Sequence, residues 1–590
     1  MKSKAKRIIT ALCMVCLMLI DMKAANDSWY IWIITDNFVG IVIAFIMFTA
    51  YPVRNYLKPF YILWSVLGIA GEIGGYAYWY AHQAGHTMGF YITVPLNIWI
   101  LGIVFFKYIE EIFILKRLKI HIEKWEYAFI ACMLLMLVSK SDYLWPLYFL
   151  IIFLMLWHLP FSQEDRSEIF YGVMDGIIAG FIVLQGKAFL FKGYGLVRYT
   201  GAYWNSNRNG ALYLLVLTAF LVRILDAGKK DVINPDSEKE NRSGSKLKPK
   251  TVIYTVMSSV MAAFIMYTGS RTALVGMVII LITYVFIGKR GILREKWGRI
   301  IGRGFIFLGV TAVAVPLLYY PICYLPLIRV AIRTEIKNFV KGTDEPVSIS
   351  NENCVQLEEA LDVMFLRFLR SDVQSDDSAD DSVSDAENII PQSSDDNIET
   401  VSEEPAEEES SPYDFRIDEY DRAGFYTIEY YYRDYPERGP KVIYVPQFLY
   451  GGITSLNIRI NFFAALISNM NLAGHDSSEV FLVLRSNAPG TSEDWINNEQ
   501  NFIVHYLYAY GIPIGLFFCL LILAEFIRLI RLALRGKIEA FAFAMFILVF
   551  VCIGMMELVW VPGQIVLILM FIAPLFFTPS DNCVLDDHKS

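Results

Sequence analysis

The stretch VIYTVMSSVMAAFIMYTGSRTALVGMVIILITYVFIG, residues 252–288, decides the fold class of this chain. Two apolar runs flank a short polar turn, TGSR, that ends in Arg271. An α-helix needs about 20 mainly apolar residues to cross the hydrocarbon core of a bilayer, and it satisfies its own backbone hydrogen bonds there. The stretch therefore predicts two membrane helices joined by a very short loop.

Comparable apolar runs occupy most of the remaining chain. Of its 590 residues, 55% are hydrophobic and 19% are charged, and the mean hydropathy is +0.43. This composition excludes a soluble globular protein of this size. We predict an all-α fold, a polytopic transmembrane bundle of about 12–14 helices. The candidate runs are residues 8–20, 37–51, 60–80, 90–106, 125–138, 143–159, 169–184, 211–225, 252–268, 273–288, 301–320, 502–527, 540–556 and 564–577.

The basic residues predict the orientation of these helices, because Lys and Arg collect in cytoplasmic loops. The basic loops are residues 2–7, 54–58, 107–124, 229–250, 289–303 and 528–537, and all of them share one side if both termini are cytoplasmic. The loops around His82, Ser141 and Trp560, and those at 186–210, 269–271 and 322–501, then face outward. This pattern predicts a multi-pass inner-membrane protein, and we favour an uncleaved first helix over a signal peptide.

The predicted organisation has four parts. Residues 1–321 form transmembrane helices 1–11, residues 322–501 an extracytoplasmic loop, residues 502–578 helices 12–14, and residues 579–590 a cytoplasmic tail. Within the loop, the segment from Ile322 predicts an amphipathic interfacial helix with Arg329, Arg333 and Lys337 at four-residue spacing. Residues 371–415 contain sixteen Asp and Glu and no Lys or Arg, so we predict a disordered acidic insert over 371–412. Aromatic and β-branched residues at 424–450 predict short strands or an ordered lid.

Two outward turns carry residues suited to an anion. RYTGAYWNSNRNGA begins with Arg198 and brings Asn205 and Asn207 to a predicted helix start, where free N–H groups favour negative charge. The turn TGSR places Ser270 and Arg271 between two membrane helices. An arginine bound to lipid headgroups, or one that snorkels to the surface, is the alternative in each case.

Two further outward segments offer candidate site residues. Arg459 lies on a predicted apolar helix before NLAGH, and a buried arginine there needs a carboxylate or phosphate partner. In NNEQNFIVHYLYAYGIPIG, Asn501 opens a helix, and Glu499 or His505 can take a proton from a hydroxyl. A histidine in such a run is also typical of a hydrogen-bonded core residue.

Acidic residues inside spans favour a different class of function. Glu72 and Asp175 lie in glycine-containing helices and can form a proton or ion path in a transporter or lipid flippase. Pairing with arginines of neighbouring helices is the other interpretation. No nucleotide-binding or metal-binding motif occurs in suitable context, so we expect no cofactor, no metal and no nucleic acid partner.

Taken together, the four outward segments resemble the O-antigen ligase family, which shares a superfamily with the O-antigen polymerases. The family pattern has Arg-x-x-Gly with Asn-x-Asn, then Gly-Ser-Arg, then an arginine-bearing helix with a later glycine, then His-Asn before a Gly-x-x-x-Gly turn. The matching residues, within about residues 170–530, are Arg198, Gly201, Asn205, Asn207, Gly269, Ser270, Arg271, Arg459, Gly474, Gln500, Asn501, Gly511 and Gly515.

The resemblance implies a GT-C-like glycosyltransferase that is independent of metal. Its donor would be an undecaprenyl-diphosphate-linked glycan in the lipid bilayer, and its acceptor a glycan or lipid-glycan hydroxyl outside the membrane. Arg198, Asn205, Asn207, Ser270, Arg271 and Arg459 would bind the diphosphate, and Glu499, Asn501 and His505 would lie near the acceptor. The family histidine falls on Gln500, which cannot act as a base. An inactive relative whose loop binds surface glycan is a third possibility.

Overall fold

The computed structural model contains two compact units. The helical unit comprises Met1–Met364, Met470–Ser477 and Glu499–Ser590, and the second unit comprises Phe365–Asn469 and Ser478–Asn498. The described residues are 3–26, 31–51, 53–82, 99, 101–116, 122–141, 145–191, 199–203, 205–233, 249–292, 297–341, 425–431, 441–446, 463, 466–467, 470–475, 481–486, 494–496, 501–555 and 564–577.

Helices make up the described part of the helical unit. Helix α4, residues 101–109, continues into a π-helical turn, Glu110–Ile114. The other helices are α1 (Ser3–Asn26), α2 (Ile31–Thr49), α3 (Pro59–His82), α5 (Lys124–Val138), α6 (Trp145–Trp157), α7 (Gln163–Phe191), α8 (Ser206–Ile233), α9 (Pro249–Tyr267), α10 (Arg271–Ile287), α11 (Trp297–Lys341), α12 (Phe502–Tyr510), α13 (Ile512–Leu534), α14 (Ile538–Gly554) and α15 (Ile565–Phe571).

Every predicted apolar run contains a described helix, and the all-helical architecture is confirmed for the described part of this unit. Seven of the described helices are long and apolar enough to cross a membrane, namely α3, α7, α8, α9, α10, α11 and α13. The count of 12–14 spans stays a prediction. The run predicted at 502–527 is divided at Gly511, whose φ of +88° interrupts the helix between α12 and α13.

Helix α8 forms the centre of the bundle, whereas α3 lies at its margin. Most of the apolar window of α8 is buried, and it packs against α7, α9, α10 and α14. The window in α3 is almost wholly exposed, as expected for a helix that faces lipid. Helix α1 packs along α7, where Gly172, Gly176 and Gly180 leave room for its backbone and side chains. Close approach at small residues is typical of membrane helix pairs.

The predicted basic loops meet at one end of the bundle, here named the basic end and defined by Lys6, Lys107, Lys229 and Arg528. Lys6 pairs with Asp165 at the start of α7 across 2.8 Å, and Lys229 donates to the carbonyl oxygen of Gly536. Lys107 lies 5.4 Å from the centre of the Tyr51 ring, which follows α2. The alternating helix directions that the charge pattern predicts are therefore present, while the membrane side of each end stays a prediction.

Helix α11 runs past residue 321, the predicted end of the eleventh span. That span and the amphipathic segment from Ile322 form one continuous helix, which contains Pro316, Pro321 and Pro326. At 1.5 Å per residue it is about 68 Å long, roughly twice the hydrocarbon core of a bilayer. The hydroxyl of Tyr267, at the end of α9, donates to the carbonyl oxygen of Val315. The part of α11 that follows Val315 therefore extends beyond the end of α9.

The second unit contains a four-stranded antiparallel sheet. The strands are β1 (Phe425–Tyr431), β2 (Lys441–Pro446), β3 (Phe481–Ser486) and β4 (Asp494–Ile496), in the order β2-β1-β3-β4. Ile428 pairs with Ile443 on one side and with Leu484 on the other. The strands predicted at 424–450 are confirmed, and β3 and β4 were not predicted. The acidic insert, residues 371–412, lies outside the described residues.

Candidate functional site at the end opposite the basic end

The turn that carries the first motif is joined to the second motif through the backbone. The N–H of Tyr199 donates to the carbonyl oxygen of Tyr267 across 3.0 Å. Gln185 of α7 holds the same turn, because its Nε2 donates to the Tyr199 hydroxyl at 2.8 Å and its Oε1 accepts from the Tyr213 hydroxyl at 2.9 Å. All three side chains are buried, so this polar network fixes the turn against α7 and α8.

Asn209 closes the turn from the other side. Its Oδ1 accepts from the backbone N–H groups of Ala202 and Tyr203, and its Nδ2 donates to the carbonyl oxygens of Tyr203 and Asn205. The turn needs Gly201, which has a φ of +53° and lies against the Tyr213 hydroxyl, where a Cβ would overlap it. Gly201 is one of the predicted motif residues, whereas Asn209 was not predicted because its type and place give no separate signal.

Three predicted site residues cap helices at this end. The Oδ1 of Asn205 accepts from the N–H of Asn207 at 2.7 Å at the start of α8. The Oγ of Ser270 accepts from the N–H of Ala273 at the start of α10. The Oδ1 of Asn501 accepts from two N–H groups at the start of α12. Three helix N-termini, each with the positive end of a helix dipole, therefore lie at one end of the bundle.

The first two of these helix starts touch. A Cβ on Gly210, near the start of α8, would lie 2.5 Å from the Cβ of Ala273 and 3.7 Å from the Oγ of Ser270. Ser270 is fully buried, whereas Arg271, the first residue of α10, is exposed. The predicted Gly-Ser-Arg turn therefore buries its hydroxyl as a cap and presents its guanidinium at the surface of this end.

The other two motifs also form one local structure. Ile512 donates its N–H to the carbonyl oxygen of Asn471, and His475 donates its N–H to that of Ala509. Gly474 and Gly511 have φ values of +83° and +88°, and their close backbone contacts leave no space for a Cβ. The segment 470–475 and the break between α12 and α13 are thus packed backbone to backbone.

Contacts between α10 and α14 place both pairs of motifs, the first two and the last two, at the same end of the bundle. Gly276 lies against Cys552, at 3.4 Å between a Cβ built on the glycine and the cysteine Cβ. Asn501 donates its Nδ2 to the carbonyl oxygen of Met555, just after α14. We name the end defined by Tyr199, Ser270, Gly474 and Asn501 the site end.

The remaining predicted residues divide into two sets. His505 is 3% exposed and packs edge-on against the rings of Tyr506 and Tyr510, so it lies in the core of the helical unit. Asn207 is buried at the first turn of α8. Arg198, Arg459, Glu499 and Gln500 lie outside the described residues. Their predicted roles stay predictions.

Asp21 is a site-end residue that sequence reasoning missed. It follows the apolar run of α1 and is 8% exposed, and its Oδ2 accepts a hydrogen bond from the Tyr203 hydroxyl at 2.8 Å. Burial raises the pKa of Asp21 to about 6, while the charge of Arg208 and the Tyr203 hydrogen bond act in the opposite direction. The sequence signal that could have identified Asp21 is an aspartate at the end of an apolar run.

The two acidic residues of the transporter interpretation have different surroundings. Asp175 on α7 forms ion pairs with Arg7 of α1, at 2.5 Å, and with Arg223 of α8. Its pairing with arginines of neighbouring helices, the alternative interpretation, is therefore the one observed. Glu72 lies on the exposed helix α3, and its Oε1 has no hydrogen-bond partner within the described ranges.

The comparisons with known proteins add no relative. No family model, no curated protein and no solved structure matches this chain.

Proposed function

We propose that this protein is a bacterial membrane glycosyltransferase of the O-antigen ligase and polymerase type. It moves or polymerises an undecaprenyl-diphosphate-linked oligosaccharide onto an acceptor hydroxyl at the outer face of the cytoplasmic membrane. The product is part of a surface polysaccharide of the cell envelope.

The hydrogen bond between Tyr199 and Tyr267 is the observation that carries this proposal. Tyr199 directly follows Arg198, and Tyr267 directly precedes the turn that ends in Arg271. Two segments that the resemblance assigns to one diphosphate site are therefore adjacent in the fold. The other two segments meet each other at Gly474 and Gly511, at the same end of the bundle.

The chemistry of the site end supports a diphosphate as the leaving group. Three helix N-termini lie at this end, two of them in contact, and Arg271 is exposed at the start of α10. When the acceptor hydroxyl attacks the anomeric carbon, negative charge grows on the departing diphosphate. Preorganised cations and N–H dipoles stabilise such charge, and the loss of one such donor costs about 3–4 kcal/mol in other enzymes.

The sidedness also supports this function. The basic end collects the lysines and arginines that mark cytoplasmic loops, so the site end faces outward under the same rule. A sugar carried on a polyprenyl lipid would meet an outside acceptor there, with its tail in the surrounding bilayer.

The test follows release of undecaprenyl diphosphate from a purified lipid-linked oligosaccharide in the presence of an acceptor glycan. We expect Arg271→Ala to lower turnover about 10²- to 10³-fold. The matched control is Arg290→Ala, because Arg290 is also exposed and follows the opposite end of α10. We expect the control to retain wild-type turnover. Equal turnover in Arg271→Ala removes this residue from the mechanism, and no turnover in the wild type rejects the proposed function.

A further inference from the structure

The resemblance places Gln500 where the family histidine would take the acceptor proton, so if the proposed function holds and a side chain takes that proton, it is a different group. Glutamine has no basic lone pair at neutral pH. His505, the nearest histidine in the sequence, is 3% exposed and packed between tyrosine rings. Glu499 lies outside the described residues, so a carboxylate in the described part of the site end is the further candidate.

Buried carboxylates are the natural candidates, and their positions separate them. Within the described ranges the buried acidic residues are Asp21, Glu111, Glu126 and Glu525. Glu111 pairs with Lys107 at 2.6 Å, Glu525 with Arg528 at 2.6 Å, and Glu126 lies 3.3 Å from His158, all toward the basic end. Asp21 alone of these four lies at the site end.

The surroundings of Asp21 connect it to the predicted diphosphate-binding turn. Its Oδ2 accepts from the hydroxyl of Tyr203, which belongs to the turn between Arg198 and Asn205. Among the described residues, the charge of Arg208, on the first turn of α8, acts on Asp21, and the Nζ of Lys187 lies 3.9 Å from the sulfur of Met22, the next residue in the chain. A carboxylate buried at this point costs free energy of folding, which is typical of a functional position.

The protonation states of the pair suit proton transfer. Burial raises the pKa of Asp21 to about 6, so at neutral pH the carboxylate is mainly ionised and can still accept a proton. Burial and the neighbouring carboxylate raise the pKa of Tyr203 well above its usual value, so its hydroxyl keeps a proton to pass on.

We propose that Asp21 is the terminal proton acceptor of the transfer reaction and receives the proton through the hydroxyl of Tyr203. This inference rests on the proposed function. The acceptor oxygen forms a bond to the anomeric carbon as the bond from that carbon to the diphosphate oxygen breaks, and the electron pair leaves with the diphosphate. The acceptor proton passes to the Tyr203 oxygen while the Tyr203 proton passes to Asp21. Asp21 then releases its proton to water.

The experiment measures kcat and KM for the lipid-linked donor between pH 5 and pH 9 in the wild type, Asp21→Asn and Tyr203→Phe. Asparagine has the shape of aspartate but cannot take the proton. We expect each substitution to lower kcat about 10²- to 10⁴-fold, with KM for the donor changed less than about twofold. Wild-type activity should fall below about pH 6, and the residual activity of Asp21→Asn should lack this fall.

The matched control is Asp226→Asn. Asp226 also accepts a hydrogen bond from a tyrosine hydroxyl, that of Tyr171, at 2.6 Å. It lies on the half of α8 that leads to the basic end, away from the site end. We expect wild-type kinetics from this variant. A raised KM with unchanged kcat in Asp21→Asn, or an acidic fall that persists in it, would assign Asp21 a structural role and overturn the inference. Inactivity of the wild type would instead reject the proposed function, and the inference with it.

Discussion

Tyr199 and Tyr267 are joined by a backbone hydrogen bond of 3.0 Å between the nitrogen of the first and the carbonyl oxygen of the second. Tyr199 is the first described residue after α7, and Tyr267 is the last residue of α9. Because both are fully buried, the bond is shielded from water, and it links the turn before α8 to the turn before α10. The two candidate anion-binding motifs are thereby joined through the main chain.

Gln185→Leu tests what holds this arrangement. The substitution leaves the buried hydroxyls of Tyr199 and Tyr213 without the amide that bridges them. A buried polar group that loses its partner costs about 1–3 kcal/mol, so we expect a lower apparent melting temperature in detergent and weaker donor binding. Gln163→Leu, an exposed position at the start of the same helix, is the control and should melt as the wild type does. Equal melting of both variants would show that Gln185 does not hold the turn.

Gly474→Ala tests the contact between the third and fourth motifs. At a φ of +83° an alanine is strained by about 1–2 kcal/mol, and its Cβ would overlap the carbonyl oxygen of Ala509. We expect the segment 470–475 to separate from α12, with loss of both stability and turnover. Gly309→Ala is the control, since Gly309 is exposed on α11 and a Cβ there meets nothing within 4 Å. Wild-type melting and turnover in Gly474→Ala would contradict the role given to this contact.

The sequence predicts the positions of the helices well because hydrophobic length and loop charge depend on single segments. The two turns TGSR and RYTGAYWNSNRNG were correctly placed at helix starts for the same reason. The continuity of α11 was not predictable, since three prolines favour a break unless packing holds the helix together. Asp21 and Gln185 were missed because their roles depend on partners 182 and 14 positions away along the chain.

Asn501 shows how a site residue and a structural residue can coincide. Its side chain caps α12 through Oδ1 and bonds the carbonyl oxygen of Met555 through Nδ2 at 3.1 Å. Asn501→Ala removes both and should lower the free energy of unfolding by about 1–3 kcal/mol. Asn501→Ser keeps a side-chain oxygen that can cap α12 and loses the donor to Met555, so it should retain part of this stability. Thermal unfolding of both variants measures the difference, and an alanine variant as stable as the serine variant would show that the cap contributes nothing.

Asp21→Asn is expected to stabilise the protein while it removes activity. The folded state binds a proton at Asp21 more tightly than the unfolded state, since burial raises its pKa from 3.8 to about 6. This contribution to stability is complete below about pH 4 and is lost as the pH rises through 6, at a cost of about 2–3 kcal/mol at neutral pH. Asparagine resembles the protonated acid at every pH. The variant should therefore melt higher than the wild type at pH 7.5, and the difference should shrink toward zero at pH 4. Asp226→Asn, at a half-buried carboxylate, should show no comparable gain. If Asp21→Asn melts at or below the wild-type temperature at pH 7.5, the ionised Asp21 carboxylate does not destabilise the folded protein, and the prediction is wrong.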